Sequence, residues 1–258
     1  MSSLNIRNSV IEHVNTSVFE KNIPIPWCSF DRLLSDNSFQ ELIKTFPSLD
    51  YFERHSGLPR SHGQRPHDRW YLALEHSIYD HKEPGMKGCI ALNDLDPCWQ
   101  DFINELKESD SYNKMIEDLL GVKPHSVRFA WHIASTGGDI SPHIDDPLKA
   151  GTHIFYFNTN DDWKEEWGGQ TLFLGDIKHE KLNPEISDFD FVVGAPMINN
   201  KSMLFKNTVN AWHGVAPIDC GNDHYRRLFN VIFQLPERPT HSQNIIKRLG
   251  RRLKRIIN

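Results

Sequence analysis

Apolar residues recur at every third or fourth position in parts of the first 120 residues, and at every second position after that. Phe39, Leu42, Ile43 and Phe46 predict a helix over 36–46 that Pro47 stops. Trp99, Phe102, Ile103 and Leu106 predict a second over 96–107, with Pro97 in its first turn. Tyr112, Met115, Ile116, Leu119 and Leu120 predict a third over 111–120, ended by Gly121. From Val127 the period is two: Val127, Phe129, Trp131 and Ile133 alternate with Arg128, Ala130 and His132. Further strand-like runs fall at 139–145, 152–158, 170–175, 189–193, 202–206, 212–217 and 226–234, parted by turns containing Gly, Asn and Asp. Eight short strands without intervening helices predict a sandwich or barrel over 125–236. Residues 1–124 form a helical and irregular region packing on it, entered through an extended segment that holds Pro24 and Pro26. Residues 237–258 are a separate tail, where Ile245, Ile246, Leu249, Leu253, Ile256 and Ile257 set up a basic amphipathic helix that Gly250 weakens. The fold class is mainly β with flanking helices (α+β).

Composition changes this picture little. The chain has 258 residues, 24% charged and 38% apolar, as in an ordinary globular protein with a real core. No run approaches the eighteen or so apolar residues of a membrane helix, and the polar start does not read as a signal peptide. Four scattered cysteines without C-x-x-C spacing are expected to be free thiols, and the expected setting is the reducing cytoplasm. Net charge is −5, but the last 18 residues carry six basic side chains and no acid, which leaves −11 on the rest. An acidic body argues against a broad nucleic-acid surface. The tail could dock on anionic lipid or an acidic partner, or pack on the body itself. The segment 53–69 holds Arg54, Arg60, Arg65 and Arg69 among His55, His62 and His67 without a clear period, and reads as a solvated loop or a substrate-facing lid.

The chemistry begins at His143 and Asp145. On an extended strand these two point the same way, and an imidazole beside a carboxylate is two thirds of a facial triad that holds Fe(II) and keeps positions open. A distant histidine must complete it, and His213 is the best candidate. The pair alone is weak: with 14 histidines in the chain, one H-x-D/E match is what chance supplies, as His81 and Glu83 illustrate.

The residues downstream of Asp145 carry more weight. A strand ends in Tyr156, Phe157 and Asn158; a loop with Trp163 and Trp167 leads into Gly168 and Gly169; then come His213, Gly214 and Val215, and a last strand opening with Arg226 and Arg227. This order resembles the prolyl 4-hydroxylase-like branch of the Fe(II)- and 2-oxoglutarate-dependent dioxygenases over about residues 125–236. The resemblance implies a double-stranded β-helix (jelly-roll) core with the metal between its sheets. It implies His143, Asp145 and His213 as metal ligands, Arg226 as anchor of the cosubstrate's far carboxylate, and Tyr156 as its hydrogen-bonding neighbour. The family's spacing from second histidine to anchor is shorter, so 220–225 reads as an inserted turn and both Arg226 and Arg227 stay open as the anchor.

The activity so implied is hydroxylation of an unactivated C–H bond with release of succinate and CO2. Fe(II), 2-oxoglutarate and O2 would take part, and ascorbate would serve as reductant. The organic substrate, whether peptidyl proline, another amino acid, a sugar or a small metabolite, is not readable. Asp145 speaks against a halogenase, where a small residue replaces the carboxylate. Two other classes remain: a catalytically silent cupin-type β-helix binding module, and a three-ligand zinc hydrolase in which Arg226 and Tyr156 would have no purpose. Arginine suits the anchor because its charged fork grips a carboxylate bidentately. Arg226, Leu228, Asn230 and Ile232 share one face of the last strand, and Arg227, Phe229, Val231 and Phe233 the other. Apolar residues on both faces predict a buried strand, where a guanidinium needs an anionic partner. Trp212 is expected to pack, His132 and His153 to be hydrogen-bonded core histidines, and Gly168 and Gly169 to permit a tight strand entry.

Overall fold

The computed structural model describes residues 5–57, 65, 67–77, 82–179 and 181–236. The basic tail, with Arg60, His62 and His81, lies outside the described residues. Eight strands come after residue 125, where the period changes: β5 (Ser126–Ala134), β6 (Ile140–His143), β7 (Lys149–Tyr156), β8 (Thr171–Ile177), β9 (Phe189–Gly194), β10 (Lys201–Lys206), β11 (His213–Val215) and β12 (Arg226–Gln234). They divide between two sheets. The larger runs β10-β7-β12-β5 at its centre and the smaller runs β6-β11-β8-β9. The chain thus crosses repeatedly from one sheet to the other, which is the arrangement expected of a double-stranded β-helix.

The N-terminal third differs from its expected form. In place of an extended entry, short helices α1 (Asn8–Ile11) and α2 (Thr16–Lys21) form. Strands β1 (Trp27–Asp31), β2 (Glu53–His55), β3 (Arg69–Leu74) and β4 (Cys89–Ile90) then extend the larger sheet to eight strands, with β1 on β10, β3 on β5, β2 on β3 and β4 on β3. β2 and β4 are only three and two residues long, and β3 is buried along most of its length without alternation, so no period of two marks them. The three longer helices fall where the 3.6-residue period puts them: α3 (Asp36–Lys44), α4 (Pro97–Glu108) and α5 (Asp110–Leu120). Ser35, Asp96 and Ser109 cap their N-termini by accepting backbone N–H bonds, and Gly121 ends α5 at φ +67°.

Helix α4 covers the outer face of the larger sheet. Trp99 meets Trp131 edge-on at 5.2 Å and Phe229 at 5.3 Å, and Phe102 lies 5.8 Å from Phe229. Trp99, Phe102 and Phe229 are fully buried, and each such side chain contributes about 2–3 kcal/mol. The apolar outer residues of β12 are therefore sealed by helices, which leaves Arg226, Leu228, Asn230 and Ile232 to face the space between the sheets.

One core histidine makes a pH-dependent contribution. His153 is fully buried, with Nδ1 2.9 Å from Tyr112 Oη and Nε2 3.1 Å from Ser202 Oγ. Burial holds its pKa down at about 3. The unfolded chain takes up this proton near pH 6.5 and the native state only near 3, so stability is unaffected above 6.5 and falls as pH drops through that window. The loss is on the order of 3 kcal/mol by about pH 4. Urea unfolding of His153→Gln should show a smaller drop between neutral pH and about pH 4 than the parent; equal drops would mean that other groups set the acid sensitivity.

Candidate metal centre

Antiparallel pairing of β6 with β11 puts His143 directly opposite His213, with ring centroids 4.2 Å apart. Strand β6 is the edge of the smaller sheet, which is why it tolerates Pro142. It ends at His143, two residues short of its predicted limit, and Asp145 returns its carboxylate from the following turn. Asp145 Oδ1 lies 3.9 Å from His143 Nε2, and Oδ2 lies 3.8 Å from His213 Nε2. Ligand atoms of all three residues fall within 4.8 Å of one another, the only such group among the described residues.

The ring orientations suit a cation. His143 Nδ1 is 2.9 Å from Ser141 O, and His213 Nδ1 is 2.9 Å from Ala211 O. A carbonyl can only accept, so each Nδ1 carries the hydrogen and each neutral ring turns an Nε2 lone pair toward Asp145. Burial holds both imidazoles below their usual pKa, and His143 is pushed further down by His213. For Asp145, burial works against the charge, but Lys149 and the two histidines outweigh it and keep the carboxyl well below its normal range. Two neutral imidazoles and one carboxylate, oriented by backbone acceptors, form a donor set that fits a divalent first-row metal. Lys149, missed in the sequence, donates to Asp145 Oδ1 at 2.5 Å. Its i+4 spacing from Asp145 was visible, but the turn that brings the two together was not.

A cavity of about 190 Å³ lies between the sheets and is lined by all three triad residues and by Arg226. Arg226 is 4% exposed, so the lack of any acidic partner among the described residues decides its character. Its Nη2 lies 3.3 Å from Thr171 Oγ1, its guanidinium sits 5.5 Å from the Tyr156 ring, and its Nε is buried without a partner. Burial pulls its pKa down, and Tyr156 pushes it back up. The Tyr156 hydroxyl is 2.7 Å from Thr171 Oγ1, so these three side chains form one polar cluster at the end of the cavity. Arg227 faces the other way, where it is ion-paired with Asp162 and lies 5.8 Å from the Phe46 ring.

Two further pieces of the motif have a positioning role. Asn158 Nδ2 donates to Tyr225 O at 2.8 Å, and its Oδ1 accepts from Arg227 N at 2.7 Å, which grips the backbone on both sides of Arg226. Gly168 and Gly169 have φ of +77° and +79°. A Cβ on Gly168 would meet Pro217 O at 2.0 Å, and one on Gly169 would press on Arg226 Cδ at 3.0 Å. Asn158→Ala leaves two backbone groups unsatisfied. It should cost about 1–3 kcal/mol in chemical unfolding, and Asn158→Asp, which sets a buried carboxylate oxygen against Tyr225 O and Asp162, should cost at least as much. An unchanged unfolding midpoint in Asn158→Asp would mean that the donor side of Asn158 contributes nothing.

Of the segment 53–69, Arg54 grips Asp68 through bonds of 2.9 and 2.7 Å, and Arg65 pairs with Asp139 and Glu185. His67 and Arg69 line the cavity, with the His67 ring 6.3 Å from that of His143. Trp212 packs on Phe189, as expected of a structural tryptophan.

No family model matches the sequence, and no curated protein matches it. Solved structures do match. A prolyl hydroxylase from Trichoplax adhaerens, in complex with a hypoxia-inducible-factor peptide fragment, is 14% identical, with 88% of this chain and 90% of that one covered at a TM-score of 0.56. A Pseudomonas putida prolyl-4-hydroxylase is 12% identical, with 86% and 98% covered at 0.52. A non-heme α-ketoglutarate-dependent carbocyclase from nogalamycin biosynthesis is 10% identical, with 87% and 85% covered at 0.55. The chain has the double-stranded β-helix fold of the 2-oxoglutarate- and Fe(II)-dependent oxygenases. No helix among the described residues is long and apolar enough to cross a membrane.

Proposed function

We propose that this protein is an Fe(II)- and 2-oxoglutarate-dependent dioxygenase that hydroxylates an unactivated C–H bond. The observation that carries the reading is one cavity holding both the His143–Asp145–His213 triad and Arg226, a buried guanidinium with no acid to neutralise it among the described residues. A dianionic 2-oxo acid supports both ends of that arrangement, with its keto acid at the triad and its far carboxylate on the guanidinium fork. Iron with 2-oxoglutarate and O2 supplies the oxidation, in which one oxygen atom enters the substrate as hydroxyl and the other leaves in succinate as CO2 is released.

The chain's own residues bind and orient. His143 and His213 present Nε2 with fixed tautomers, Asp145 supplies the anionic donor, and Thr171 with Tyr156 steadies the Arg226 guanidinium. The apolar lining residues Ile154, Leu228 and Ile232 limit water around the reacting centre. Lys149 already neutralises Asp145, which is the feature that would suit a silent, metal-free binding module instead. That module, however, has no use for two imidazole lone pairs and a guanidinium without an acidic partner among the described residues facing one cavity. Ascorbate would sustain turnover by keeping the iron reduced.

The test is iron-dependent conversion of 2-oxoglutarate to succinate by the full chain, with a mass-spectrometric search of peptide and metabolite pools for a product one oxygen heavier. Succinate formation that is absent, or indifferent to chelation of iron, would favour the silent module.

A further inference from the structure

Besides Arg226, and Lys149 which is engaged by Asp145, Arg69 and Arg128 line the cavity, and the cosubstrate does not account for Arg128. Arg128 lines the same cavity from β5, and its Nε is buried without a hydrogen-bond partner. No carboxylate lies within ion-pair distance of it among the described residues. The acids that line the cavity are engaged elsewhere: Asp68 by Arg54, Asp139 by Arg65, and Asp145 by Lys149 and the triad. Register fixes where Arg128 stands. It pairs with Ile232 on β12, whereas Arg226 pairs with Ala134, so their backbone positions lie in rows six residues apart, about 20 Å along the strand. A five-carbon diacid with its far carboxylate on Arg226 and its keto acid at the triad would have no charged group left for Arg128. Between the two rows, on the same inner face, Asn230 Oδ1 is also buried without a partner.

Buried polar atoms are normally satisfied, and a guanidinium that is partly desolvated without a counter-charge is costly unless an anion arrives to use it. Resting on the dioxygenase reading, we infer that the organic substrate carries an oxyanion, a carboxylate or a phosphate, that docks on Arg128, with a polar group alongside that donates to Asn230. The substrate would then enter with its anionic end away from Arg226 and its reacting carbon toward the triad. Two guanidiniums on separate rows would keep cosubstrate and substrate from exchanging places.

The test tracks the arginine Nε–Hε resonances of the full-length protein by NMR, with Arg128 and Arg226 assigned from Arg128→Gln and Arg226→Lys. Saturating 2-oxoglutarate should move the Arg226 signal. Inorganic phosphate or acetate, titrated onto that complex, should then move the Arg128 signal saturably, and Arg128→Gln should weaken the anion about tenfold or more. The phosphate and acetate arms tell which oxyanion is preferred. If Arg128→Gln does not fold, Arg128→Lys retains the charge but loses the fork and should show an intermediate affinity. A motionless Arg128 signal, or equal anion affinity in parent and variant, overturns the inference. So does a neutral substrate hydroxylated with unchanged kcat/KM in Arg128→Gln. Failure of 2-oxoglutarate to move Arg226 overturns the dioxygenase reading separately, whatever Arg128 does.

Discussion

Asp145→Ala and His213→Ala should each abolish the visible metal-to-ligand charge-transfer band expected when Fe(II) and 2-oxoglutarate bind together without oxygen, and succinate production with it. Loss of a residue that merely orients a ligand already costs about 10–100-fold in metal affinity, and loss of a ligand costs more. At Asp145 the effect is compounded. The carboxylate is the only anionic donor in the triad, and Lys149 Nζ sits 2.5 Å from it. Without Asp145, that ammonium is left beside two neutral imidazoles, which repels a dication where it was formerly compensated. The metal-free fold should survive the change, because Asp145 lies beyond the end of β6 and takes no part in the sheet ladder. Thermal unfolding without metal checks this. A band of full strength in both variants would sink the triad assignment.

The sequence made the centre of the molecule legible and its rim much less so. All eight strands after residue 125 were marked, because short runs of apolar and β-branched residues there are separated by Gly, Asn and Asp turns with no helical pattern between them. His143, Asp145 and His213 were picked out by the H-x-D pair and the order of motifs downstream, and the register of β6 on β11 brings their ligand atoms together. Asp145 joins from a turn rather than from the strand, so the simple alternation argument does not by itself account for its place beside the two histidines. The N-terminal strands were not marked, since β4 spans two residues and β2 three, and their pairing with β3 is a tertiary choice. Lys149, Thr171 and Arg128 were equally hidden as site residues, whereas Asn230 was placed on the face of Arg226 by alternation alone. Each becomes part of the cavity only through the facing of two sheets, which no local period encodes. Thr171 left a fainter trace, as the first residue of the strand that the Gly168–Gly169 entry serves.

The other large effect concerns the choice between two adjacent arginines. Arg226→Lys should weaken 2-oxoglutarate binding by about 1.5–3 kcal/mol, roughly 10- to 150-fold in Kd, because a point charge replaces a two-pronged donor. Arg227→Lys should change it little. Arg226 faces the cavity beside Thr171 and Tyr156, whereas Arg227 is spent on Asp162 outside it. The Arg226→Lys deficit should also depend on pH. Burial disfavours the charged form of any cation at this position, and an amine starts from a much lower pKa than a guanidinium. As pH rises above neutral the buried lysine loses its proton while the arginine keeps its own, so the gap between variant and parent should widen with pH. Anaerobic titration of the charge-transfer band at two pH values measures both effects. A larger loss in Arg227→Lys would put the wrong face of β12 toward the cosubstrate. A gap that does not change with pH would mean that the lysine reaches solvent or finds an acid.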